Sequence, residues 1–226
     1  GRGWWYRRAD GSFPKDATLV VGGSVYRFDE FGYMRTGWVK DQGLWFYHQV
    51  SGAQAVGWVR QGMSWFYLDE ITGAMATGWL RDGADWFFLA PSGALVGGWL
   101  RDGGQWYYLD PSSGVMRTGM TGVDGTWYYL DSSGAMRPGW VRLADGWHYF
   151  ASSGAQLGGW LRDGGEWYYL DPDTGIMRTA PLELNGRRYE FDASGAWRGY
   201  EAPAGYLQPT DHITGLGDAT NTLTWG

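Results

Sequence analysis

The residues with the most chemistry to offer in this chain are its tryptophans. There are 17, and 13 fall into two registered series. The first follows glycine: Trp38, Trp58, Trp79, Trp99, Trp140 and Trp160, with Gly119-Met120 filling the one gap. The second lies seven residues after each of these positions: Trp45, Trp65, Trp86, Trp106, Trp127, Trp147 and Trp167. An indole ring offers a large apolar body and a π face that attracts cations. Conventional catalytic groups are sparse. His48 stands where other repeats have Leu, and His148 where others have the middle Tyr, so both read as substitutions within a repeat. With His212 they match no metal-ligand spacing. Asp82, Asp102 and Asp163 read as turn residues. No cysteine is present, which excludes disulfides and thiolate metal sites. No nucleophile–base pair, phosphate loop or metal motif stands out. The expectation is therefore a non-catalytic chain with no cofactor and no metal.

What rings can do without such groups is bind. Two tryptophans on one face of a hairpin, with an aromatic from the adjacent repeat, would make a three-walled box. Such a box suits a quaternary ammonium, which has no hydrogen-bond donors and can be satisfied by ring faces alone. Each contact contributes about 0.5–2 kcal/mol, depending on desolvation. Two alternatives share the same aromatics. Sugars also stack on rings, but they need polar side chains at the rim. The plainest alternative is that the rings only pack the repeat, since cross-strand aromatic pairs stabilise sheets anyway.

The elements that position these rings follow from the period. Successive Gly-Trp positions are 20 or 21 residues apart. If Trp79 and Trp86 oppose each other in an antiparallel hairpin, the loop centres on Asp82-Gly83. The same arithmetic gives Asp102-Gly103 and Asp163-Gly164, and Asp-Gly is a strong two-residue hairpin signal. At 120 and 140 the Asp-Gly pairs come later, which predicts a bulge or a longer loop in both. Alternation places Trp106 and Tyr108 on one face and Tyr107 and Leu109 on the other. The face with Leu or Val and the middle aromatic, such as Val59/Phe66/Leu68, is the expected packing seam. One hairpin cannot fold alone, so the units must stack as a solenoid. No helical periodicity is evident.

Composition agrees with small repeated turn-plus-sheet units: 39 glycines and 18% aromatics in 226 residues. A net charge of −6 argues against a nucleic-acid partner. No apolar run approaches the roughly 18 residues that span a membrane. Residue 1 is Gly and no signal peptide is visible, so the sequence reads as a mature or trimmed piece of a longer protein. The expected organisation is a degenerate N-terminal repeat or cap over 1–37, a hairpin-repeat solenoid over 38–200 and a tail or linker over 201–226.

The unit from Gly98-Trp99 through Trp106-Tyr107-Tyr108-Leu109-Asp110 to Ser113-Gly114 and Met116 resembles the choline-binding, cell-wall-binding repeats of Gram-positive surface proteins and their phages. The likeness covers about residues 38–180, with degenerate copies on both sides. It implies an all-β, left-handed β-hairpin solenoid with ligand sites between consecutive hairpins. Each site would use the two Trp of one repeat and an aromatic of the next, often with a Met nearby. Carried over, Trp38 and Trp45 are closed by Tyr67, Trp58 and Trp65 by Phe88, and Trp79 and Trp86 by Tyr108. Trp99 and Trp106 are closed by Tyr129, Trp140 and Trp147 by Tyr169, and Trp160 and Trp167 by Phe191. Met120 weakens the site of Trp127 and Tyr149. The implied partner is choline, or phosphocholine, on teichoic acids, outside the cell at the wall. An attached catalytic module would lie elsewhere in the parent protein. Similar repeats in glucan-binding proteins and toxin receptor-binding domains keep a glucan or host glycan open as the ligand. A homodimer through an exposed hairpin or terminal repeat is also compatible.

Overall fold

In a computed structural model, residues 4–199 are described, and they are built from β-hairpins. Among these residues the hairpins are β1–β2 (Ala17–Val21, Ser24–Phe28), β3–β4 (Gly37–Asp41, Leu44–His48) and β5–β6 (Gly57–Gln61, Ser64–Leu68). Then come β7–β8 (Gly78–Asp82, Asp85–Leu89), β9–β10 (Gly98–Asp102, Gln105–Leu109) and β11–β12 (Gly119–Val123, Thr126–Leu130). The last three are β13–β14 (Gly139–Arg142, Trp147–Phe150), β15–β16 (Gly159–Asp163, Glu166–Leu170) and β17–β18 (Leu182–Leu184, Arg187–Tyr189). Each pair is its own two-stranded sheet. The all-β hairpin series expected from the 20-residue period is the architecture found. The first hairpin lies inside the segment expected to be degenerate, and the segment 201–226 lies outside the described residues. Contacts group the chain into two compact units, and the division falls within β9–β10.

The register differs by one turn position from the sequence expectation. Trp79 opposes Phe88, and Trp86 opposes Arg81. The loop is therefore Gly83-Ala84, flanked by Asp82 opposite Asp85. The cause is backbone conformation. The first loop position needs a positive φ, which glycine adopts without strain. Gly83 has φ 61°, and in β15–β16 the loop pair Gly164-Gly165 has φ 59° and 90°. Moving the loop by one residue changes which rings face each other but preserves strand parity, so both tryptophans stay on one face. The expectation for the repeat at 120 is also corrected. Its loop is an ordinary two-residue turn, Asp124-Gly125, with φ 48° and 79°. The hairpin at 140 does have a longer loop, residues 143–146, closed by the Leu143 N–H donating to the Gly146 carbonyl at 2.8 Å.

Each hairpin alone has little to bury, and the chain solves this by stacking. The last residue of the second strand goes fully inside. In the first unit these are His48, Leu68, Leu89 and Leu109; in the second they are Leu130, Phe150 and Leu170. The connection after each hairpin then reaches back to the previous one. The Met75 N–H donates to the Trp45 carbonyl at 2.7 Å, and Leu95 to Trp65 and Met116 to Trp86 at 2.8 Å. In the second unit Gln156 does the same to Trp127 and Met177 to Trp147. The turn before the connection is set by an aspartate. Asp69 Oδ1 accepts the Ile71 and Thr72 N–H groups and the Thr72 hydroxyl. The Thr72 donors hold that carboxyl below its ordinary value.

The glycine that ends this turn packs on the connection of the preceding repeat. Gly154 has φ 84°, and a Cβ there would collide with the Met136 side chain. Gly154→Ala is expected to cost about 2–4 kcal/mol from strained backbone and overpacking together, read as a lower urea midpoint.

His48 is fully buried and neutral. Its Nδ1–H donates to the Gly52 carbonyl at 2.8 Å, and its Nε2 accepts from Arg27 at 3.1 Å. Burial, opposed by the Gly52 hydrogen bond and aided by the Arg27 charge, holds its pKa below the ordinary 6.5. Protonation therefore favours the unfolded chain. Stability is full above about pH 6.5 and is expected to decline as pH falls below it. In His48→Leu, urea midpoints measured between pH 7.5 and pH 5 are expected to fall less steeply than in the parent.

Candidate functional site

The rings gather in repeated clusters, and the register decides their membership. In the first unit Trp38 meets Tyr47, its cross-strand partner, at 5.2 Å between ring centroids. Its other side meets Phe66 of the next hairpin at 4.9 Å. Trp58 repeats the pattern, with Tyr67 at 5.2 Å and Phe87 at 5.0 Å. Trp79 meets Phe88 at 5.2 Å and Trp86 at 6.4 Å. Trp99 meets Tyr108 at 5.1 Å. In the second unit Trp140 is surrounded by Trp147 at 6.4 Å, Tyr149 at 5.1 Å and Tyr168 at 4.9 Å. Most of these contacts are edge-on, the arrangement the ring quadrupole favours.

The rings in direct contact with a first Trp are mostly others than those the carry-over placed across its site. Tyr67, Phe88, Tyr108 and Tyr169 each pack on the first Trp of their own hairpin. The rings reaching Trp38, Trp58 and Trp140 from the next hairpin are the middle aromatics Phe66, Phe87 and Tyr168. Phe191 does come to Trp160, at 5.9 Å, but Tyr189 comes closer, at 4.9 Å. Tyr129 opposes Met120 across β11–β12, and Trp127 of that hairpin is 53% exposed. The second tryptophans Trp45, Trp65, Trp86 and Trp147 are also open to solvent. A cross-strand cation lies over several of them: Lys40 over Trp45, Arg81 over Trp86, Arg142 over Trp147 and Arg162 over Trp167, at 5.8–6.0 Å.

Sequence reasoning missed one member of the cluster. Asp82 and Asp163 are not only turn residues. Asp82 Oδ2 accepts the indole N–H of Trp58 at 2.8 Å, and Asp163 Oδ2 that of Trp140 at 3.0 Å. The recurring Gly-Trp-Leu-Arg-Asp string was the available signal. Burial, the Asp163 charge and a hydrogen bond to it raise the Tyr149 pKa; burial, then Glu70 and Asp82, raise that of Tyr67. Both phenols therefore stay neutral while a carboxylate lends the ring cluster a negative field. Trp160 shows what happens without it. Its indole nitrogen is buried and has no hydrogen-bond partner, and β17 ends in Leu184 where β15 ends in Asp163. His48 and His148 are both buried in the core, as substituted repeat positions. Among the described residues no group of three or more His, Asp or Glu could hold a metal ion, and no helix is long and apolar enough to cross a membrane.

This geometry has relatives. The choline-binding repeat family matches residues 35–78 and 138–180, and a cell wall binding repeat matches 97–116 and 123–136, together more than half of the chain. The chain belongs to the choline-binding, cell-wall-binding repeat family. It is similar to CbpJ from Streptococcus pneumoniae TIGR4, with 28% identity, 85% of this chain and 90% of that one covered, and a TM-score of 0.64. It is similar to choline binding protein F of the same species (28%, 89% and 92%, TM-score 0.61). The choline-binding domain of its CbpL matches at 29%, with 82% and 98% covered and a TM-score of 0.62. No curated protein sequence matches the chain.

Asp82→Leu removes the acceptor from Trp58 while keeping side-chain bulk. An unpaired, partly buried indole N–H is expected to lower stability by about 1–2 kcal/mol, measured by urea unfolding followed by Trp fluorescence.

Proposed function

We propose that this chain is a non-catalytic anchor that holds its parent protein on choline, or phosphocholine, of teichoic acids in a Gram-positive cell wall. The observation that carries this reading is the repeated cluster itself. In each unit a first Trp lies between its own cross-strand ring and a ring of the next hairpin, with a half-exposed second Trp on the same face and an aspartate at the edge. Ring faces and a nearby carboxylate are the chemistry a quaternary ammonium needs, and neither supplies a nucleophile or a proton relay. The sites run along the array 38–200, with 1–37 as a degenerate first repeat. They are formed by the Trp38/Trp45, Trp58/Trp65, Trp79/Trp86 and Trp140/Trp147 pairs with their neighbouring rings. Choline binding protein F has been solved with ipratropium and in the presence of a peptidoglycan analogue, at 28% identity to this chain in both cases. A modular autolysin, LytC, shares the fold at 23% identity, and this chain spans 52% of it, which supports a parent protein with a catalytic module elsewhere.

Choline titration followed by Trp fluorescence tests the reading. A saturable change at millimolar choline is expected, weakened in Trp140→Ala, with no comparable response to a glucan and host-glycan panel. A folded protein that ignores choline but is retained by a polysaccharide would overturn it in favour of a carbohydrate-binding array.

A further inference from the structure

The first hairpin, β1–β2, keeps the fold but carries none of the cage rings. Its register pairs Thr18 with Arg27 and Val20 with Val25, where β3–β4 pairs Trp38 with Tyr47 and Lys40 with Trp45. Thr18, Val25 and Arg27 thus occupy the positions of the first Trp, the second Trp and its cross-strand ring. The interface with β3–β4 is nevertheless closed, and Arg27 closes it. Its guanidinium carbon lies 3.7 Å from the centroid of Phe46, the middle aromatic of β4. Phe66 and Phe87 hold the same place one and two hairpins on, where each receives a first Trp. The Arg27 Nε donates to Asp41 Oδ2 at 3.1 Å. Asp41 ends β3 as Asp82 ends β7, and Asp82 receives the Trp58 indole N–H. One arginine therefore reaches both groups that the missing tryptophan would reach, the ring and the carboxylate. Its NH1 also donates to His48 Nε2 and Gln54 Oε1, and the residue is 9% exposed. A cavity of 170 Å³ remains beside Thr18, bounded by Asp16, Arg35, Lys40 and Asp41.

We propose that this interface is an aromatic–carboxylate site filled permanently by the chain's own cation. A guanidinium is planar, always charged and weakly hydrated, so it stacks on a ring and pairs with a carboxylate at once. Arg27 takes the place of both the first Trp and an external cation, and the interface binds no quaternary ammonium. The first interface is thereby withdrawn from the ligand sites. This deepens the reading of the chain as a choline-binding array.

Two measurements test it. The first is independent of choline. Arg27→Ala strips the cation from between Phe46 and Asp41, and its melting temperature is expected to fall by roughly 5–10 °C. Methylguanidinium chloride at tens of millimolar is expected to raise the melting temperature of Arg27→Ala by several degrees more than that of the parent, because it binds the folded variant's vacated site. Equal shifts in both proteins overturn the proposal. The second converts the interface instead of emptying it. Thr18→Trp/Val25→Trp/Arg27→Tyr restores the ring set, and calorimetric titration with choline chloride is expected to count one more equivalent than in the parent. An unchanged count, with the parent binding choline, also overturns it. A parent that binds no choline defeats the proposed function, and the methylguanidinium comparison alone then decides the role of Arg27.

Discussion

The structure depends on contact between the first tryptophan of a hairpin and an aromatic of the hairpin that follows, as at Trp38, Trp58, Trp140 and Trp160. A two-stranded sheet of five-residue strands has two faces and no core of its own. Here one end of each hairpin is buried in a line of leucines and their substitutes, while the first Trp leans edge-on against the next ring. Backbone hydrogen bonds from each connection to the preceding second Trp carbonyl keep that approach in register. Stability is therefore spread as nearest-neighbour terms, as in other repeat arrays. The same rings that hold neighbours together present their remaining faces to solvent, so packing and recognition share residues.

This sharing explains why the variable positions vary as they do. The middle position is Phe66, Phe87 or Tyr168 where it supplies a ring to the preceding Trp, and His148 where the preceding first position is Met120. The cross-strand ring is Tyr in most repeats and Phe88 in one, and Tyr67 and Tyr149 stay neutral beside the carboxylates. The aspartate ending the first strand accepts the preceding indole N–H at Asp82 and Asp163, while β5 ends in Gln61 and β11 in Val123. At β17, Leu184 replaces it and Trp160 is left unpaired within a cluster of Tyr169, Tyr189, Phe191 and Trp197. That cluster is sealed by apolar contact, which suits the last described hairpin better than an open site. At the opposite end Arg27 performs the corresponding closure with charge.

Much of the fold was legible from the sequence because its signals are periodic. A 20-residue repeat with glycines at turns admits few architectures, and strand alternation puts Trp79 and Trp86 on one face for any register of the same parity. Pair-by-pair geometry was not legible. Trp79 opposes Phe88 because the loop places Gly83, rather than Asp82, at the positive-φ position. The same register puts Tyr67 opposite Trp58 and Phe88 opposite Trp79, while the middle rings Phe66, Phe87 and Tyr168 reach Trp38, Trp58 and Trp140 from the next hairpin.

What the sequence determined by itself was the hairpin unit, its length and the sidedness of its aromatics, all consequences of local alternation and turn chemistry. What only the tertiary structure decided were the relations between units: Phe66 on Trp38, Asp82 on the Trp58 indole, and Arg27 standing between Phe46 and Asp41. These join residues 14 to 28 positions apart in the chain. They depend on how one hairpin stacks on the next, and no local periodicity encodes that distance.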